Sequence, residues 1–215
     1  MSVLTLVRHG QARPFQKDSD RLSETGEQQA RALAEYWERL GVAFDEVWCG
    51  SLKRHCQTMA LVYERFPSWP QPQTSEDWNE YPAEAVIDAF GAPVEPGPDQ
   101  NKRFQKMFEA AMLAWLNDKN GSARTFAEFR ERVLRGLKRI QQGPSNRRVV
   151  VFTSGGPIGL CVQTALAAPE QMFLEVNWRV RNCSITEFVF SSDRLSLDLF
   201  NATPHLTDAK LQTFR

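Results

Sequence analysis

The sequence predicts an α/β fold: a three-layer sandwich with helices on both faces of a mostly parallel central sheet and an antiparallel strand at one edge. Three observations lead there. Short apolar, β-branched runs such as Val3 to Val7 and Val149 to Phe152 have the pattern of strands buried on both faces. Amphipathic helical stretches alternate with those runs over most of the chain. Near the end, Ile185 to Phe190, a Ser191-Ser192-Asp193 turn and the alternating Leu195, Leu197 and Leu199 read as a hairpin. No internal repeat or low-complexity tract is present, and 215 residues suit one domain.

Taken in order, Val3 to Val7 is the first strand, and Arg8-His9-Gly10 turns the chain into a polar loop running to about Ser23. Thr25 and Gln28 form a capping-box signature. Behind it Ala30, Leu33, Ala34, Trp37 and Leu40 share a helical face, and Gly41 is placed to stop the helix. Glu46 to Cys49 is a second strand, ending at Gly50-Ser51. A helix is expected from about Leu52 to Phe66, closed by Pro67, Pro70 and Pro72. Residues 82–100 are rich in Pro, Gly and Ala and show no strong periodicity. Phe104, Met107, Phe108, Ala111, Met112 and Trp115 then stripe one helix. Thr125 and Glu128 cap another, which buries Phe129, Val133, Leu137 and Ile140 and ends at Gly143. Val149 to Phe152 runs into Thr153-Ser154-Gly155-Gly156 and a helix from Pro157.

Composition narrows the function classes. Lys+Arg and Asp+Glu both number 26, for a net charge of +0. A neutral chain lacks the basic footprint of a nucleic-acid binder and the polybasic run of a protein held on an anionic membrane. The N-terminal apolar run is too short for a secretory signal. No stretch approaches the ~18 apolar residues of a membrane span. Cys49, Cys56, Cys161 and Cys183 are scattered and form no CxxC pair, the pattern of reduced, mostly buried thiols in a cytosol. His9, His55 and His205 are the only histidines, and their spacing to the cysteines matches no zinc ligand set.

Ligands in open α/β sheets bind beyond the carboxyl ends of the strands. Three strand ends carry unusual residues: Arg8-His9-Gly10, Gly50-Ser51-Leu52-Lys53-Arg54 and Thr153-Ser154-Gly155-Gly156. If these strands are neighbours, two arginines, a histidine and a glycine-rich helix start converge. Forked guanidinium donors and open helix N–H groups suit an anion. A neutral imidazole there could attack phosphorus, with the arginines neutralising the phosphoryl oxygens.

Leu6-Val7-Arg8-His9-Gly10 resembles the RHG signature of the histidine phosphatases, the superfamily that also holds the cofactor-dependent phosphoglycerate mutases. Leu22 to Ala30 is similar to its L-T-x-x-G-x-x-Q-A helix entry, and Leu52 to Thr58 to its L-x-R-A-x-Q-T helix. Val149 to Ile158 resembles its late strand and glycine turn, and Asn201 through His205-Leu206 its closing N-x-x-x-H-L. The resemblance implies a phosphoglycerate mutase-like fold and a phosphohistidine on His9, with no metal or organic cofactor. It makes Arg8 and Arg54 the holders of the phosphoryl group, with Gly10, Gln11, Ser154 and Gly155 around it. Glu80, in Trp78-Asn79-Glu80-Tyr81, falls where the family keeps its proton donor, although Glu76, Asp77 and Glu84 lie close by. Such a carboxyl needs a raised pKa.

Two departures stand out. The family's late turn reads S-H-G-G or similar, whereas Ser154 occupies the histidine's place; its common S-P-L reads Gly50-Ser51-Leu52. A serine donates one neutral hydrogen bond, roughly half as strong as a charge-assisted one. Losing one transition-state contact costs on the order of 2–4 kcal/mol, which predicts reduced rather than abolished activity. Ser154 also suits the cap of the following helix. His55 stands where the family has alanine and reads as a packing variant, its side chain leaving the helix about 100° from Arg54; His205 reads as structural. His55→Ala and His205→Ala test whether either stands in for the missing imidazole.

The expected function is hydrolysis of a small phosphomonoester, with residues from about 82 to 145 as a helical insertion covering the site. A phosphoglycerate mutase-type transfer is the near alternative, for which Arg13 and Lys17 could serve a second charged group. A weak or inactive anion-binding protein on the same fold, supported by Ser154, is the alternative from another class. Oligomeric state is not legible.

Overall fold

The computed structural model describes residues 1–13, 19–94, 97, 99–118 and 125–214; Lys17 lies outside them. Among the described residues six strands form one sheet in the order β3-β2-β4-β1-β5-β6: β1 (Ser2–Arg8), β2 (Glu46–Cys49), β3 (Gln73–Thr74), β4 (Arg148–Thr153), β5 (Ile185–Phe190) and β6 (Leu195–Ala202). The first four are parallel. The β5–β6 hairpin forms one edge, with β5 antiparallel to β1 and β6 antiparallel to β5.

The helices are α1 (Glu24–Arg39), α2 (Lys53–Tyr63), α3 (Ala83–Phe90), α4 (Gln100–Asn117), α5 (Phe126–Gln141), α6 (Gly155–Ala165) and α7 (Met172–Asn177). Strand side chains alternate between the two faces. Leu4, Leu6, Val149 and Val151 pack with α3 to α7 residues such as Val86, Trp115, Val133, Leu137, Ile158 and Phe173. Val7, Val150 and Phe152 pack with Ala30, Leu33, Trp37 and Val62 of α1 and α2. Each large apolar side chain fully buried this way contributes about 1.5–3 kcal/mol. The central strand β4 has helices on both faces, so Val149 to Phe152 are all fully buried, and all four are apolar. Helix α5 belongs to this sheet-covering layer, although it lies within the 82–145 stretch.

Several local expectations need correction. The cap of α1 is Ser23, whose hydroxyl accepts from the Gly26 N–H at 3.1 Å; Thr25 and Gln28 lie inside the helix. Ser23 is held extended because its own N–H donates to Gln11 O. Gly41, at φ +61°, takes the left-handed conformation that ends a helix. Helix α2 stops at Tyr63, short of Phe66, which stacks on Trp69 at 4.0 Å between centroids. Helix α3 arises where no periodicity is visible: its eight residues fully bury only Val86, too few to print a repeat. Helix α6 begins at Gly155 rather than Pro157, because proline is tolerated in a first helical turn. The capping box of Thr125 and Glu128 forms as expected. Among the described residues no helix is long and apolar enough to cross a membrane.

Candidate active site

Strand β4 lies between β2 and β1, with Thr153 level with Arg8 and Phe152 level with Cys49. The three strand ends therefore release His9, Gly50 and Ser154 side by side at the carboxyl end of the parallel strands. Two glycines fit this corner together. A Cβ on Gly10 would stand 2.4 Å from Gly26 O, and one on Gly26 would stand 2.2 Å from Gln11 O. The first loop and the start of α1 thus touch backbone to backbone. Thr58 secures the loop by accepting from the Gly10 N–H at 3.0 Å while donating to Arg54 O.

His9 is buried, and its Nδ1 lies 2.7 Å from Gly10 O. A carbonyl can only accept, so Nδ1 carries the proton. The Nε2 lone pair is therefore the open one, and Arg54 Nε donates to it at 3.2 Å. Burial first, then the charges of Arg54 and Arg8, hold the His9 pKa well below its usual value. The ring is neutral, and its open nitrogen faces an electropositive pocket.

Arg54 also pairs with Asp20 at 2.5 Å, and Asp20 accepts from the Lys53 N–H at 2.9 Å. Arg8 donates to Val180 O and, at 2.7 Å, to Phe214 O, and its charge reaches both His9 and Glu80. The loop carrying Val180 is held by Asn201, which accepts from the Arg181 N–H and donates to Arg179 O, both at 2.7 Å. Asn201 is the first residue of the closing motif.

Glu80 sits at the start of α6. The Gly156 N–H lies 3.1 and 3.3 Å from its two carboxyl oxygens, and the Tyr81 N–H lies 3.1 Å from Oε1. Burial pushes its pKa up, against the pull of Arg54 and those N–H groups. A buried, raised carboxyl among arginines can hold or release a proton. Of the neighbouring acids, Asp77 is paired with Arg135 at 2.8 Å, whereas Glu76 and Glu84 line the same cleft as Glu80. That cleft, about 940 Å³, runs from Arg54 and Glu80 past Pro82 to Glu128 and Arg132 on α5. Arg132 clamps the segment bearing Glu80 by donating to the carbonyls of Glu76, Asn79 (3.0 Å) and Glu80 (3.2 Å).

The remaining expected residues behave differently. The Gln11 N–H donates to Gln29, and its side-chain oxygen accepts from Ser23, both at 2.8 Å. Gly155 is buried, and a Cβ there would meet Asn177 Oδ1 at 2.6 Å. Ser154 occupies the cap position of α6 but makes no side-chain cap bond. Its Oγ instead lies 2.6 Å from His55 Nε2. His55 is thus no remote packing variant: its ring centroid is 5.6 Å from that of His9. His205 lies against Tyr36. Sequence reasoning missed Asp20, Arg132 and the place of His55. None carries a local signal, because each acts through a partner distant in the chain. Among the described residues no group of three or more His, Cys, Asp or Glu is arranged to hold a metal ion.

The family model of the histidine phosphatase superfamily (branch 1) matches residues 4–203. An uncharacterized phosphatase, PhoE, of Bacillus subtilis (strain 168) is 24% identical over 214 residues, covering 96% of this chain and 98% of its own. In structure, a phosphoserine phosphatase mutant of Entamoeba histolytica in complex with phosphoserine matches with a TM-score of 0.67 at 20% identity, over 96% of this chain and 100% of its own. A mycobacterial glucosyl-3-phosphoglycerate phosphatase in complex with inorganic phosphate matches with a TM-score of 0.64 at 23% identity, over 95% and 99% of the two chains.

Proposed function

The chain belongs to the histidine phosphatase superfamily (branch 1), and from that premise we propose that it hydrolyses small phosphomonoesters through a phosphohistidine on His9. One observation carries the reading: the Nδ1 contact with Gly10 O leaves the His9 Nε2 lone pair facing Arg54. In the first displacement Nε2 forms the bond to phosphorus while the ester P–O bond breaks. The leaving oxygen takes the proton of Glu80. The Arg54 Nε–H turns from Nε2 to a phosphoryl oxygen, and with Arg8 and the N–H groups opening α6 it neutralises the transferring group. In the second displacement the Glu80 carboxylate takes a proton from water. The water oxygen attacks phosphorus, the P–N bond breaks and phosphate leaves. The four cysteines, none in a disulfide, suit a reducing cytosol.

The substrate is sought among small phosphorylated hydroxy compounds, beginning with phosphoserine, which the structural relative from Entamoeba histolytica binds. The decisive experiment is to trap the intermediate. Enzyme mixed with substrate and quenched in base should gain one phosphoryl group, acid-labile and mapped to the peptide containing His9. A substrate turned over with no such adduct would sink the mechanism.

The acid has its own signature. Glu80→Gln should lower kcat on alkyl phosphates by about 10²–10³-fold. On 4-nitrophenyl phosphate, whose leaving group needs no proton, the effect on phosphoenzyme formation should be only a few-fold. Equal losses on both would remove Glu80 as proton donor. Gly156→Ala should imitate the variant, because a Cβ there would stand 2.0 Å from Glu80 Oε1 and 2.7 Å from Tyr81 Cδ1. A carboxyl displaced by an ångström loses on the order of a hundredfold in rate. Unchanged steady-state kinetics in Gly156→Ala would show that the contact does not matter.

A further inference from the structure

We propose that His55 is a positioning residue for the phosphoryl pocket: it donates from Nε2 to Ser154 Oγ and so aims the serine hydroxyl proton at the group carried by His9. The inference rests on the phosphatase reading above and extends it to two residues on different elements, α2 and the start of α6. Their 2.6 Å contact is short for a neutral hydrogen bond and lies where both side chains have no exposed surface. It is also the bond that keeps Ser154 from capping its own helix, since no side-chain cap bond is present there.

The direction of the bond follows from what surrounds the ring. Among the described residues His55 Nδ1 is buried with no hydrogen-bond partner. A buried N–H is rarely left without an acceptor, so the neutral ring keeps its proton on Nε2. Burial and the charge of Arg54 both favour that neutral form. With one lone pair of Oγ engaged by His55, the serine proton must point elsewhere. His9, with its centroid 5.6 Å from the His55 ring, marks the side on which the phosphoryl group arrives.

A third residue completes the arrangement. A Cβ at Gly50 would stand 2.2 Å from His55 Nδ1 and 2.9 Å from Cε1, so the ring fits only because position 50 has no side chain. Gly50, His55 and Ser154 are three departures from the pattern that the chain otherwise resembles. In space they form one contiguous unit, with the imidazole contributed by α2 and the hydroxyl by the turn before α6.

Kinetics of the full-length protein on 4-nitrophenyl phosphate and phosphoserine test the unit. His55→Leu and Ser154→Ala should each lower kcat by about tenfold to a hundredfold, as loss of one aimed donor does, with much smaller changes in KM. The double variant should be no worse than the worse single one, because both remove the same donor. His55→Gln, whose amide nitrogen can reach the same acceptor, should restore most of kcat. Should His55→Leu fail to fold, relocation of the ring replaces it. Ser154→His alone should lose activity, because a second ring must enter the space that His55 holds, and Ser154→His with His55→Ala should recover it. Wild-type kcat in a folded His55→Leu, losses that multiply in the double variant, or a gain in Ser154→His alone would overturn the proposal. An active wild type indifferent to His55 defeats this inference alone, whereas a wild type that never phosphorylates His9 defeats the phosphatase reading as well.

Discussion

His9→Ala should abolish turnover, by on the order of 10⁴-fold or more on every phosphomonoester the protein accepts. The effect is expected to be this large because, among the described residues, neither other imidazole is free to replace it. The nearest other imidazole, His55, has no exposed surface and is spent on Ser154, while His205 packs against Tyr36. Binding should survive, since Arg54, Arg8 and the N–H groups at the start of α6 remain. Titration of the variant with inorganic phosphate should therefore give an affinity close to that of the wild type. The pH profile follows from the same site. Burial and the two arginines hold His9 well below its usual pKa, so on the acid side kcat/KM should hold until His9 begins to take up a proton. On the alkaline side the rate should fall as Glu80, raised by burial, loses the proton that the leaving group needs. A His9→Ala variant retaining more than about a hundredth of the activity would falsify the phosphohistidine route.

Acidification should unfold this protein early. His9, His55 and His205 are all buried, and burial lowers the pKa of each, His205 to about 4. In the unfolded chain each returns to the ordinary value of about 6.5. As the pH falls below that value, the unfolded state takes up protons that the folded state refuses, so stability falls with pH. The limiting slope is about 1.4 kcal/mol per pH unit for each histidine, or about 4 for three, down to the folded pKa values. Glu80 works in the opposite sense: between its raised pKa and the ordinary carboxyl value the folded state binds its proton more readily. Its share is one group against three. Urea midpoints measured from pH 7 to pH 5 should fall steeply, and His205→Phe should remove about a third of the slope. A flat profile would mean that the histidines are solvated or paired when folded.

How much of this was legible in the chain depended on whether the cause was local. Strand β4 could be read because helices on both faces demand four consecutive apolar residues, Val149 to Phe152. The box that starts α5 could be read because Thr125 and Glu128 satisfy each other within one turn. Helix α3 could not, because a single fully buried residue leaves no period. At α1 the wrong hydroxyl was favoured: Ser23 is selected over Thr25 by a backbone bond to Gln11, twelve residues upstream, that local spacing does not display.

The same division runs through the site. The sequence by itself determined the parallel strands and the positions of the proposed nucleophile, the two arginines and the glycine turn, because Arg8, His9 and the turn end or follow strands whose apolar pattern is self-evident and Arg54 opens the helix after the second strand. Only the tertiary structure decided what those residues touch. It set Asp20 on Arg54, hung the segment of Glu80 from Arg132, and brought His55 to Ser154 across 99 positions of chain. A buried hydrogen bond is fixed by which elements the sheet order makes neighbours, and that order emerges from packing both faces at once.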